Sequence, residues 1–169
     1  MVEVYAALAD LALTQDDREG QARWYEEGHQ VDLGYVPHLE GCALAWESAA
    51  LHRELQGRDG ADQRARALAA ADRALAWDPA DPMLYAIKGS LHLRTGDALQ
   101  QVGKDAEASC LACIRAAEEG IRRTGECATL VELLGAAHQL LGNQASDRAE
   151  DPEPEYREAL ALYERAESL

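Results

Sequence analysis

Small and apolar residues recur along this chain at helical spacing, in runs that short polar segments interrupt. Ala67, Ala71 and Ala74, for example, follow each other at steps of four and three residues. Such steps place the side chains on one face of a helix. The interruptions, such as Gly57–Gly60 and Asp78–Pro82, carry the residues that favour turns and helix ends. The pattern therefore predicts a series of helices joined by short linkers.

These runs predict eight helices, arranged as four pairs within a single domain, residues 1–169. The predicted pairs span about residues 2–31, 38–77, 82–124 and 128–169. Each pair is expected to break internally, at Thr14–Asp17, Gly57–Gly60, Gly96–Asp105 and Gly142–Pro152. A looser stretch, Asp32–Pro37, is expected between the first two pairs. Asp81 is predicted to cap the helix that starts at Pro82.

The last two predicted pairs share a register of 46 residues, because Pro82–Arg123 matches Ala128–Leu169 when shifted by that length. The matched positions are Leu84/Leu130, Gly89/Gly135, His92/His138, Gly96/Gly142, Asp105/Asp151, Glu107/Glu153 and Glu118/Glu164. Internal periods of this length are typical of solenoid proteins, in which each repeat stacks on the next. The register favours a function carried by a stacked surface over one carried by a buried catalytic pocket.

Composition agrees with an all-helical chain and limits the partners. Alanine and leucine dominate, phenylalanine is absent and β-branched residues are few, which favours helix over sheet. The net charge of -15 disfavours nucleic acid and anionic membrane surfaces, and it suits either solubility or attraction to a basic partner. The four cysteines do not form a disulfide framework pattern, and no run reaches the roughly 18 apolar residues of a membrane span. We therefore expect a reducing, cytoplasmic setting.

Several motifs together resemble a known repeat family. They are Tyr85-x2-Lys88-Gly89-x2-His92 with Gly96, Val131-x2-Leu134-Gly135-x2-His138 with Gly142, Ala67-x3-Ala71-x2-Ala74, Cys113-x3-Ala117-x2-Gly120, Ala159-x3-Tyr163-x2-Ala166 and the ending Trp77-Asp78-Pro79. The chain resembles the tetratricopeptide repeat (TPR) family closely over Ala43–Leu169 and loosely over Val2–Val31. This resemblance implies an all-α fold, an α-solenoid of about four antiparallel helix pairs.

The resemblance also implies where helices cross and where this chain departs from the family. Gly89, Gly135 and Ala50 would lie at crossings between the two helices of a pair, where a small residue allows close approach. The family repeat has about 34 residues, whereas the last two registers here have 46. The extra residues, around Asp97–Ala108 and Asn143–Tyr156, are expected to lengthen the second helix or to form a loop.

TPR arrays bind a peptide or partner helix on the concave face formed by their first helices. Carried onto this chain, that face comprises Leu44, Glu47, Leu51, Glu54, Met83, Ala86, Ser90, Leu93, Thr129, Glu132, Ala136 and Gln139. These positions lack the lysines and asparagines that clamp a carboxylate in one TPR subclass, so an apolar or basic ligand is expected. The resulting hypothesis is a bacterial, non-enzymatic scaffold for protein–protein interaction, which needs no cofactor.

Three alternatives stay open beside this hypothesis, one of which is a helical domain that binds a small molecule or a metal ion. Lengthened repeats of this kind are similar to arrays in bacterial multidomain signalling proteins, which suggests an intramolecular regulatory or spacer segment of a larger enzyme such as a Ser/Thr kinase. The chain ends carry no polar cap in the sequence, which suggests self-association through them.

Histidine and cysteine motifs do not point to a metal centre or to catalysis. Equivalent helix positions such as His92 and His138 lie about 10 Å apart or more, which is too far for one zinc ion. His52 is assigned near the corresponding point of the second pair. Cys110-x2-Cys113 lacks a second pair of ligands, and its thiols are expected to pack inside a helix pair. No phosphate loop or nucleophile elbow is present in the sequence.

Overall fold

The computed structural model describes residues 2–31 and 36–169, and within these residues every regular element is an α-helix. The helices are α1 Val2–Thr14, α2 Arg18–Val31, α3 Val36–Leu55, α4 Ala61–Trp77, α5 Pro82–Gln101, α6 Glu107–Thr124, α7 Ala128–Asp147 and α8 Glu153–Glu167. The predicted all-α class with four TPR-like antiparallel helix pairs is confirmed. The chain divides into two compact units, Met1–Pro79 and Ala80–Leu169. The single domain remains a prediction.

In the first unit each helix packs against the next, from α1 to α4. Trp46 of α3 is buried, and its indole Nε1 donates a hydrogen bond to Glu26 Oε1 of α2 at 3.0 Å. The guanidinium of Arg66 on α4 lies 4.8 Å from the centre of the same ring, a cation–π contact. One aromatic side chain therefore connects three helices.

In the second unit α5 to α8 pack in sequence, and α5 also contacts α7 directly. A buried cluster joins α6, α7 and α8; its members are Ala117, Val131, Leu134, Leu162 and Ala166. The contact between α5 and α7 brings together the first helices of two consecutive pairs. In this unit the first helices therefore form one side of the packing, as the repeat resemblance implies.

The 46-residue register extends to the second pair, which the sequence analysis did not detect. The first helices α3, α5 and α7 begin at Val36, Pro82 and Ala128, and the second helices α4, α6 and α8 begin at Ala61, Glu107 and Glu153. Two assignments were therefore wrong. Ala43 rather than Ala50 corresponds to Gly89, and Trp46 rather than His52 corresponds to His92.

The predicted breaks at Gly96 and Gly142 were also wrong, because both glycines lie inside helices. The extra residues of the long repeat lengthen the first helix, α5 to Gln101 and α7 to Asp147, and not the second helix. A Cβ atom on Gly96 would come within 3.0 Å of Leu140 Cδ2, and one on Gly142 within 2.6 Å of the Tyr156 ring. The glycines therefore allow close helix packing, at a cost to helix stability of about 1 kcal/mol each.

Two other boundary predictions are corrected by the same lengthening. The second helix of the third pair starts at Glu107 and not before Asp105, and the loop predicted over Asn143–Pro152 shrinks to the few residues after Asp147. Of the looser stretch Asp32–Pro37, residues 32–35 lie outside the described residues, whereas Val36 and Pro37 belong to α3.

The lengthened first helices end in the same turn three times. The residues with positive φ in these turns are Gly57, Gly103 and Ala149, at 71°, 69° and 57°, and they follow each other at 46-residue steps. In each turn the next residue donates its N–H to the carbonyl five residues earlier, as in Lys104 N to Leu99 O at 2.9 Å. This is the Schellman ending, which satisfies carbonyl groups at the end of a helix.

An aspartate two residues after each turn position then starts the second helix. Asp59, Asp105 and Asp151 each accept a hydrogen bond from the backbone N–H two residues later, at 2.9, 2.9 and 3.0 Å. Asp81 does the same for Met83 at the start of α5, which confirms the predicted cap. The signal that ends one helix and the signal that starts the next therefore lie two residues apart.

The turn position offers a matched pair of stability tests. Gly103→Ala should lower the free energy of unfolding by about 1 kcal/mol, because a residue with a Cβ is strained at this positive φ. No atom lies within 4 Å of the added Cβ, so no clash adds to this cost. Ala149→Gly should leave stability unchanged or raise it by up to about 1 kcal/mol, because it removes the same strain. Urea unfolding followed by circular dichroism measures both, and equal changes in the same direction would contradict this account.

Candidate functional site

A groove of about 300 Å³ lies between α5 and α7 in the second unit. Its apolar lining residues are Leu93, Ala136 and Leu140. Its polar lining residues are Arg94, Asp97, Gln139 and Asn143. Apolar surface with a few placed polar groups is the usual composition of a recognition site.

Two tyrosines of α8 orient the carboxamides that line this groove. Tyr163 donates its hydroxyl hydrogen to Gln139 Oε1 at 2.9 Å, and Tyr156 donates to Asn143 Oδ1 at 2.9 Å. Burial, with the nearby Glu132 as a smaller cause, raises the pKa of Tyr163, so its hydroxyl remains a donor. Since the amide oxygens are engaged, the NH₂ groups are the donors that each side chain retains for a ligand.

The two tyrosines also fill the space beside the glycines of α7. In the preceding pair the equivalent space beside α5 is filled by side chains of the next helix pair. Beside Gly89 and Gly96 of α5, that space is occupied by Leu133 and Leu140 of α7. The corresponding glycines of α7, Gly135 and Gly142, instead meet the rings of Tyr163 and Tyr156. At the same register positions α6 carries the small residues Ala117 and Cys110. The final pair is thus packed by its own aromatic side chains.

The structure brings together three of the predicted concave-face residues, Leu93, Ala136 and Gln139, in this groove. On the same two helices, Met83, Thr129 and Glu132 are exposed outside it. Ser90 hydrogen-bonds the carbonyl of Ile87 at 3.0 Å, and Ala86 is buried with 8% of its surface exposed. The binding role of all these residues stays a prediction.

The four predicted residues of the first unit lie on α3. Leu44 and Leu51 are exposed, whereas Glu47 and Glu54 are half-buried. Glu54 pairs with the guanidinium of Arg64 on α4, so this carboxylate supports the helix pair. Glu47 of α3 occupies the register position of Leu93 of α5, so a position that is apolar in the groove of the second unit is acidic in the second pair.

Four groove residues were missed by the sequence analysis, namely Arg94, Asp97, Leu140 and Asn143. Asp97 and Asn143 are 46 residues apart and correspond to Leu51, which was predicted, so a register applied to all three pairs identifies them. The tyrosines were visible as aromatic residues at positions where the preceding pair has Cys110 and Ala117. Their hydrogen bonds to the groove amides were not visible in the sequence.

Three of the four cysteines, Cys42, Cys110 and Cys113, are buried thiols. Burial raises the pKa of Cys42 and of Cys113 to about 12 and that of Cys110 to about 11, so all three stay protonated at neutral pH. Within the described residues no three His, Cys, Asp or Glu side chains are grouped as metal ligands. His138 Nδ1 instead lies 2.7 Å from Glu155 Oε2.

Thiol chemistry gives a direct test of this burial. With Ellman's reagent at pH 8, the folded chain should react rapidly at Cys127, which is partly exposed, and slowly at the three buried cysteines. All four should react once urea unfolds the chain. Burial of the protonated thiols also contributes to stability, because their folded pKa values lie above the unfolded value of 9.0. This contribution is complete below pH 9 and is lost as the pH rises through the folded values of about 11 and about 12. Rapid modification of four thiols in the folded chain would contradict the structure.

No family model and no curated protein matches this chain. Among solved structures, two crystal structures of MamA are similar to it. One has 17% sequence identity and a TM-score of 0.45 and covers 99% of this chain and 94% of the MamA chain. The other has 18% identity and a TM-score of 0.43 and covers 96% of this chain and 98% of the MamA chain. At these scores the similarity supports no inference about function.

In the described part of the chain, no helix is both long enough and apolar enough to cross a membrane.

Proposed function

We propose that this chain is a non-enzymatic scaffold that binds a protein partner, as an extended peptide or a helix, in the groove between α5 and α7. The observation that carries the proposal is the pair of carboxamides, Gln139 and Asn143, whose oxygens are held by tyrosine hydroxyls on one side of the groove. Their NH₂ donors suit the backbone carbonyls of an extended peptide, or those of the last turn of a helix, which have no partner within the ligand.

The groove also indicates what the ligand brings besides its backbone. Leu93, Ala136 and Leu140 offer apolar contact, so an apolar side chain that inserts between the helices gains burial. Asp97 already accepts a hydrogen bond from Gln101 at 2.8 Å, one turn along α5. The proposed ligand therefore inserts an apolar side chain and aligns its carbonyl groups with α7.

The donors can be removed without changing the shape of the groove. Gln139→Glu with Asn143→Asp keeps the oxygen acceptors for the tyrosines but replaces each NH₂ donor by a carboxylate oxygen. We expect partner proteins captured from a lysate of the source organism, or from the products of neighbouring genes, to fall by roughly tenfold, since buried unpaired carbonyls are costly. Quantitative mass spectrometry of the captured proteins measures the change.

The control for this experiment is Glu164→Gln, on the exposed side of α8 and outside the groove. It should capture the same proteins as the unaltered chain. A protein set that does not change with the groove variant would count against the proposal.

The alternative function, an intramolecular regulatory or spacer segment of a larger bacterial signalling enzyme, stays a prediction. It uses the same groove chemistry, with the ligand supplied by the same polypeptide. The cytoplasmic setting and the family's concave-face binding mode also stay predictions. A capture experiment that yields only segments of the chain's own gene product would favour this alternative.

Self-association, which the sequence leaves as an alternative, has a simple test. Leu160 of α8 is 59% exposed and offers apolar surface. Two equivalent positions are polar in the last pair, however: Glu167 replaces Ile121, and Gln139 replaces Leu93. The polar replacements weaken an apolar contact on this face, so we expect a monomer. Light scattering over a dilution series measures the molar mass, and a dimer that Leu160→Arg abolishes would restore the self-association hypothesis.

A further inference from the structure

A second groove, of about 320 Å³, lies where the end of α7 meets the first turns of α6 and α8. Its apolar lining residues come from all three helices and are Leu111, Leu141, Ala145 and Pro154. Its charged lining residues are Glu107, Arg148, Glu150, Asp151 and Glu155. It shares no lining residue with the groove between α5 and α7. It is therefore a separate surface.

The charges of this second groove are mostly negative and partly uncompensated. Arg148 lies 3.0 Å from Asp105 and 3.6 Å from Glu107, so its charge is balanced within the unit. No basic side chain among residues 2–31 and 36–169 pairs with Glu150 or with Asp151, whose Oδ1 accepts only the N–H of Glu153. Two carboxylates thus stand beside an apolar surface without a cationic partner.

The repeat itself does not require this composition. The equivalents of Glu150 in the two preceding pairs are Lys104 and Arg58, so the charge is reversed there. Leu111, which is 39% exposed, corresponds to Ala65 and Arg157. By contrast the capping position Asp151 is aspartate in all three pairs. The repeat therefore requires neither an acid at the position of Glu150 nor an apolar residue at that of Leu111, and these two residues of the groove call for another explanation.

We propose that this second groove docks a segment of a partner protein that carries lysine or arginine next to apolar side chains. Its cations would pair with Glu150 and Asp151, and its apolar side chains would cover Leu111, Leu141 and Pro154. A second copy of this chain is disfavoured as occupant, since its net charge is -15. Charge complementarity of this kind gives specificity and fast association.

The test uses a synthetic helical peptide with leucines and lysines on one face, labelled with fluorescein, and the full chain. A peptide of the same composition in scrambled order is the first control. Fluorescence anisotropy should show binding of the patterned peptide that weakens with salt, and weaker binding of the scrambled one. Glu150→Lys and Leu111→Arg should each weaken binding by roughly tenfold.

Each variant has a control with the same change of charge outside the groove. Glu164→Lys matches Glu150→Lys, and Leu55→Arg matches Leu111→Arg, because Glu164 of α8 and Leu55 of α3 are exposed and lie outside the groove. Ala136→Arg introduces the same charge into the groove between α5 and α7. Circular dichroism confirms that every variant is folded. Equal binding of the scrambled peptide, equal losses in the controls, or a loss only with Ala136→Arg would each overturn the proposal.

Discussion

The close approach of helices at residues without bulk is the constraint on which this structure depends. In the second unit, a methyl group at Gly120 would come within 2.8 Å of Tyr85 Cβ and 2.9 Å of Leu130 Cδ1. Such contacts leave no room for adjustment in a close-packed interior. Because the crossings fix how far apart the helices lie, they also fix the width of the surfaces between them.

Within that constraint the lengthened first helices create the surfaces that are particular to this chain. The residues beyond Gly96 and Gly142 add more than a turn to α5 and α7. Asp97 and Asn143, which line one groove, lie at the start of this added length, and Gln144, Ala145 and Arg148 line the other. Buried Gln144 ties the end of α7 to the start of α6, since its Oε1 accepts the N–H of Ala106 at 3.2 Å and its Nε2 donates to Asp105 at 2.5 Å.

Much of the fold could be predicted from the sequence because periodicity and turn residues are local signals. Ala67, Ala71 and Ala74 are buried as their spacing indicates, and Asp81 caps α5 as its position before a proline indicates. Gly96 and Gly142 were misread because a glycine that ends a helix and a glycine that allows a crossing look alike in sequence. Only the neighbouring helix, with Leu140 or Tyr156, distinguishes them.

The candidate sites were harder to predict than the fold, for a physical reason. A groove depends on which side chains of different helices face each other, and Gln139 and Asn143 gain their orientation from tyrosines 24 and 13 residues away. The second groove combines residues from three helices, and its Glu150 stands where the other pairs carry Lys104 and Arg58. A 46-residue register identifies positions where the same residue recurs, whereas these surfaces are defined by residues that differ between the pairs.

The turn that ends each first helix, with its positive-φ residue and its aspartate, has a consequence for how such a chain can change. Each 46-residue segment carries its own signals for the end of its first helix and the start of its second helix, so these two boundaries do not depend on the neighbouring segment. Segments of this kind can be gained, lost or exchanged whole while the helix boundaries are preserved. Side chains that line the grooves can change without moving these helix boundaries, so binding specificity can vary while the fold is kept.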